Sequence, residues 1–208
     1  MIAIQAALRH AEKTGEGQHI DMALYDTQIS ALGNQNLNYL VSGKSPVQMG
    51  NAHMNIAPYE VVPVKDGHII LAIGNDGQFA KFCAAIGLDD LPSDPDFATN
   101  PARVANRAKL REHIIEALKT FDRDPLLAKL EAASVPASPI NTIGQMFADP
   151  QTIARGMRLD LDDGHGNLLP SVRAPMVMSG TPLVYERPSP RLGEHTEEIL
   201  AELERSGK

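Results

Sequence analysis

The stretch from Gln18 to Leu40 changes its hydrophobic period in mid-course, and no other feature restricts the fold of this chain as much. Ile20, Met22 and Leu24 alternate with period two, as on a half-buried strand. Ile29, Leu32, Leu37 and Leu40 then follow at helical spacing. The pattern predicts a strand running directly into a helix, with Asp26 in the first helical turn. Unpaired backbone N–H groups and the helix dipole favour a negative charge there. A carboxylate ionised at neutral pH and fixed at such a junction is either a helix cap or a nucleophile. The residues alone leave both open.

The chain has 208 residues, enough for one ordinary domain or somewhat more. Its 43% apolar and 22% charged content is that of a folded protein. A net charge of −7 argues against nucleic acid as a partner, because a phosphate backbone needs a basic face. No run approaches the ~18 apolar residues that cross a bilayer, so no membrane partner is expected. The stretch Met1–His10 has no charged leader and only a short apolar run, so it does not read as a signal peptide. Cys83 is the sole cysteine, which excludes an internal disulfide and fits a reducing compartment, so the expected location is cytoplasmic. It lies in the helical pattern Phe79–Ile86, where core packing is the expected role.

Further elements follow from local signals. A helix over 2–13 ends at Gly15, and 42–58 breaks into Gly, Ser, Pro, Asn and His, an irregular loop. Tyr59–Val64 and His68–Ile73 flank Lys65-Asp66-Gly67, a hairpin signal. A helix runs from Asp76 to Gly87. Asn100-Pro101 starts another, with Val104, Ala108, Arg111, Ile115 and Leu118 as its inward stripe. Asp124-Pro125, Asn141 and Asp149-Pro150 open three short helices, and 157–178 reads as a second hairpin. Thr196–Arg205 is a terminal helix with Glu197 and Glu198 in its first turn.

The loop Gly74-Asn75-Asp76-Gly77-Gln78 joins a strand to a helix. Its glycines permit close backbone approach, and helix-start N–H groups can meet an anion or an acyl oxygen. A turn capped by Asn75 or Asp76 explains the same residues equally well. The histidines form no metal pattern, and Asp160, Asp162 and Asp163 beside His165 have the wrong spacing for a calcium loop. No metal site is expected. Neither a nucleophile elbow nor a phosphate loop nor a dinucleotide fingerprint is present. His195 reads as part of the cap of the final helix.

Several segments occur together and in order: Gly17–Asp26, Gly50-Asn51-Ala52-His53, Ile73–Phe79, Val135–Ile140 and Leu192–Thr196. In that combination the chain resembles the class III CoA-transferases, the group of formyl-CoA transferase and the carnitine CoA-transferases. The likeness covers nearly the whole chain. It implies an α/β fold with an α+β middle module. Residues 1–45 would belong to a large α/β domain, 46–178 to a small domain, and 179–208 would return to the large one. Family members are roughly twice as long and begin with a nucleotide-binding-type half that this chain lacks.

The same likeness implies that Asp26 is the acyl-accepting aspartate of an enzyme that moves CoA between a thioester and a carboxylate. Gly74, Asn75 and Gly77 would form the glycine-rich loop that covers the aspartyl intermediate. Asn51 and His53 would contact CoA, in a segment where Met54 replaces a usual proline and Gln48 stands where arginine is common. No permanently bound cofactor is implied, only a CoA thioester as substrate. The family's interlocked pairs imply a homodimer, or else a partner supplying the N-terminal half. Two alternatives accompany this reading: an inactive or partner-dependent half, and a racemase relative. In the related racemases an acid followed by proline occupies the place of Asp76-Gly77, which favours transfer here.

Overall fold

The computed structural model describes residues 1–207. The chain divides into two compact units, Met1–Met54 and Asn55–Lys208. The first is helical among its described residues: α1 (Ile2–Thr14), α2 (Leu24–Ala31) and α3 (Asn34–Ser42). Helix α1 stops at Gly15, whose φ of 76° is the left-handed turn that glycine adopts without a Cβ penalty. Its N–H donates to Ala11 O and closes the last turn.

Two expectations for this unit are corrected. Residues 16–23 form no strand, although Ala23 is extended at φ −69°, ψ 134°. A strand requires a neighbour to pair its N–H and C=O groups, and the first unit supplies none among its described residues. Ile20, Met22 and Leu24 accordingly lie exposed. The helix expected through Leu40 is broken at Gly33, whose φ of 56° and ψ of −124° separate α2 from α3.

The second unit contains the core. Strand β1 (Tyr59–Val64) pairs antiparallel with β2 (Gly67–Ala72), and β2 pairs with the short β3 (Ala137–Pro139), in the order β1-β2-β3. One face of the hairpin carries Val62, Ile69 and Leu71 inward, as the alternation requires. Helix α4 (Asp76–Ile86) packs on α7 (Arg123–Ala132), which lies against β2 and β3, and α5 (Asn100–Ala105) packs on α6 (Arg107–Leu118), which lies against β1. Phe79, Phe82, Phe97, Leu110, Ile114, Leu118, Leu126 and Leu130 complete the cluster. Cys83 is wholly buried within it, as the apolar helical pattern predicts.

The expected continuous helix from Asn100 is instead two, because Asn106 (φ −103°, ψ 25°) leaves helical geometry between α5 and α6. That break resets the phase. Leu110, Ile114 and Leu118 face the core, rather than Arg111 and Ile115. The cap is Thr99, not Asn100, and the signal missed at Ala137–Pro139 is a strand. Strand β3 has two prolines at its borders, so propensity hides it, and its partner β2 defines it.

Beyond the core lie α8 (Ile143–Ala148), α9 (Pro150–Ala154) and the antiparallel pair β4 (Arg158–Asp162) and β5 (Leu168–Val172). Thr142 and Gln145 form a reciprocal capping box at the start of α8. The final helix α10 spans Thr196–Ser206. No helix among the described residues is long and apolar enough to cross a membrane.

Candidate functional site

Asp26 stands in the first turn of α2, three residues after the extended Ala23 that precedes the helix. Its side chain is exposed, and Tyr25 beside it is 77% exposed. Ala23 makes no side-chain cap, so Asp26 is the acidic group available to the helix dipole. Thr27 Oγ1 donates to Ala23 O at 2.9 Å and ties the same turn. The position leaves the carboxylate open to solvent at the helix start.

Asn51 and His53 lie in the irregular stretch before Asn55, Asn51 exposed and His53 half-buried. With Asp26 they belong to the first unit, whereas Gly74, Asn75 and Gly77 belong to the second.

The glycine loop is closed by two reciprocal hydrogen bonds. Asn75 Oδ1 accepts the Gln78 N–H at 2.9 Å, and Gln78 Oε1 accepts the Gly74 N–H at 2.8 Å. Asn75 is thus the cap, extended at φ −153°, ψ 169°. Neither Gly74 nor Gly77 has a positive φ, and an added Cβ would meet only Gln78 Oε1 at 3.6 Å or Asn75 Oδ1 at 3.4 Å. Backbone conformation therefore does not demand glycine at either position.

Beneath this loop lies a residue that the sequence did not single out. Arg103 is fully buried. Its Nε donates to Ala57 O at 2.7 Å, one terminal nitrogen donates to Phe97 O at 3.0 Å, and the other reaches Asp76 Oδ1 at 2.7 Å. The guanidinium carbon also stands 4.4 Å from the centroid of the Phe79 ring, a cation–π distance. Asn100 adds an acceptor for the Ala57 N–H and a donor to Asn55 O. Arg107 donates to Ile56 O, and Arg111 pairs with the buried Glu60. Asn100, Arg103, Arg107 and Arg111 recur every three or four residues. That polar spacing is present in the sequence, but one of its members, Arg111, falls on the stripe expected to face inward.

A cavity of about 350 Å³ lies elsewhere, between the tip of the β4–β5 hairpin and residues 186–195. Asp163, His165, Glu186, Arg191, Glu194 and His195 line it, and none of the predicted site residues does. There the Asn167 side-chain amide, then the Asn167 and His165 N–H groups, hold the Asp163 carboxyl down at about 2. Among the described residues no cluster of His, Cys, Asp and Glu could hold a metal.

Comparison with known proteins places the chain in one family. CoA-transferase family III matches residues 1–196. The succinate–glutarate CoA-transferase of Agrobacterium fabrum is 58% identical over 203 residues, which are 97% of this chain and 50% of that protein. The human succinyl-CoA:glutarate CoA-transferase is 35% identical over 97% of this chain and 46% of its own length. In three dimensions, a CaiB/BaiF family protein from Brucella suis superposes with a TM-score of 0.79 at 52% identity, covering 97% of this chain and 52% of that one. The chain therefore spans about half the length of the curated relatives it matches. With agreement running from the first helix through the start of the last, this chain belongs to CoA-transferase family III.

Proposed function

We propose that this chain carries the acyl-accepting carboxylate of a CoA-transferase, Asp26, and that its substrates are CoA thioesters and free forms of small dicarboxylic acids. The observation that carries this reading is the 58% identity, over nearly the whole chain, to a succinate–glutarate CoA-transferase. The exposed carboxylate in the first turn of α2 supports it.

In this mechanism an Asp26 oxygen attacks the thioester carbonyl carbon. The C–S bond breaks, leaving an aspartyl mixed anhydride and CoA thiolate. The thiolate attacks the Asp26 carbonyl carbon, and the donor acid departs as its carboxylate, leaving an aspartyl-CoA thioester. The acceptor carboxylate attacks that carbonyl, forming a second anhydride and releasing the thiolate. Attack of the thiolate on the acceptor's acyl carbon forms the new thioester and returns Asp26 to its carboxylate. The covalent route keeps the thioester's free energy from being lost to water. By the family likeness Gly74, Asn75 and Gly77 would form the loop that covers the aspartyl intermediate, and Asn51 and His53 would contact CoA. The test is intact mass after exposure to succinyl-CoA or glutaryl-CoA followed by hydroxylamine. A hydroxamate on Asp26, absent from Asp26→Asn, is the expected result. No adduct on any chain would overturn activity of this chain by itself.

A second reading is favoured by one observation. None of the residues of α1, α2 or α3 is buried, and Leu8, Leu32, Leu37, Leu40 and Val41 stand open. Uncovered apolar faces of this kind mark a surface that associates. On this reading the chain acts only with a polypeptide that supplies the other half. Restoration of the Asp26 adduct by that half alone would distinguish it.

A further inference from the structure

We propose that Arg103 is a positioning residue that holds the Gly74–Gly77 loop in its working geometry through Asp76. The catalytic meaning of this rests on the transferase reading above; the positioning itself does not. A guanidinium wholly removed from water is costly, and an apolar side chain fills such a space at least as well. Arg103 has two of its donors fixed by Ala57 O and Phe97 O, inside the unit. The third reaches outward to a carboxylate that is 56% exposed, on the first residue of α4 and between Asn75 and Gly77. The Phe79 ring, one turn further along α4, lies against the same guanidinium. Arg103 therefore grips α4 at two points and refers its start to the Ala57 turn. The same turn receives the end of β2, because Pro58 O accepts the Ile73 N–H. Both ends of the glycine loop are thus fixed to one anchor, and the loop between them carries no buried side chain of its own. Three separate nitrogens of the guanidinium fork serve the three acceptors, whereas the donors of a lysine ammonium all sit on one nitrogen and do not span them.

The experiment is hydrogen exchange on the full chain, comparing residues 73–79 with residues 110–118 as a core reference. Asp76→Asn removes the charged link at a half-exposed site and leaves Arg103 in place, so the variant should fold. The expected result is exchange of the Gly74, Gln78 and Phe79 amides about tenfold faster, with 110–118 unchanged. Arg103→Lys should show the same local change, and methylguanidinium should slow exchange again in Arg103→Ala. Unchanged exchange at 73–79 in Asp76→Asn would overturn the proposal, as would acceleration of both regions together. Adduct formation on Asp26 separates this outcome from the fate of the transferase reading. If the wild-type chain never forms the adduct, that reading fails, and loop exchange still decides the role of Arg103. If it does form, Asp76→Asn should lower the rate at saturating acyl-CoA and leave the half-saturating concentration unchanged.

Discussion

The Gln78 side-chain carbonyl accepts the Gly74 N–H at 2.8 Å, so the glycine loop closes on itself across the start of α4. On the proposed transferase reading, one N–H of the loop is therefore already engaged by the protein. An incoming oxygen must displace Gln78, or use the N–H of Gly77 instead. The same closure fixes the loop's shape before any ligand arrives.

Removing either of the loop's two side-chain acceptors, Asn75 Oδ1 or Gln78 Oε1, should loosen the start of α4. Asn75→Ala and Gln78→Ala are each expected to cost about 1 kcal/mol, read as a lower urea midpoint with unchanged slope. Gln78→Ala alone should accelerate exchange at Gly74, because only that variant frees its N–H.

Asp26→Asn should leave stability within about 0.5 kcal/mol, since the side chain is exposed and outside the core. It should abolish the hydroxamate adduct. A thermal melt and a mass spectrum of one sample check both halves of the expectation.

Cys83 should be inert in the folded protein. Burial pushes its thiol from the usual 9.0 up to about 12, outweighing the pull of Arg103 toward the thiolate. Iodoacetamide at pH 8 should label it only after unfolding. The raised value also carries a pH sign. The unfolded thiol ionises near pH 9 and the folded one near 12, so the folded chain holds more protons between them. This contribution to stability is complete below pH 9 and is lost as pH rises toward 12.

Asp163 has the opposite sign. Its carboxyl, held at about 2 by Asn167 and then the His165 N–H, supports the hairpin tip at any pH above the ordinary 3.8. That support is lost as pH falls from 3.8 through 2. Asn167→Ala should return the carboxyl toward 3.8, and a carbon-detected NMR titration of the aspartates reads it directly.

The break at Asn106 makes a further pair of substitutions informative. Ile114→Ala should cost about 2–5 kcal/mol, because Ile114 is 1% exposed in the core. Ile115→Ala, at a half-buried neighbour, should cost clearly less. Urea denaturation of the two variants reports which phase α6 presents inward.

Local chemistry determined a good part of this protein from its sequence alone. Lys65-Asp66-Gly67 between alternating apolar runs specified the β1–β2 hairpin, and Gly15 and Gly87 stopped their helices by adopting φ values that other residues resist. Motif order likewise pointed to the family. Tertiary structure alone decided the rest. The alternation at Ile20, Met22 and Leu24 makes no strand, because a strand is defined by a neighbour and not by its own residues. Ala137–Pro139 becomes one for the converse reason, because β2 is there to pair with it. No sequence signal singles out Arg103. Its burial among Ala57, Phe79, Phe97 and Asp76 depends on contacts between residues far apart in the chain, which no periodicity encodes.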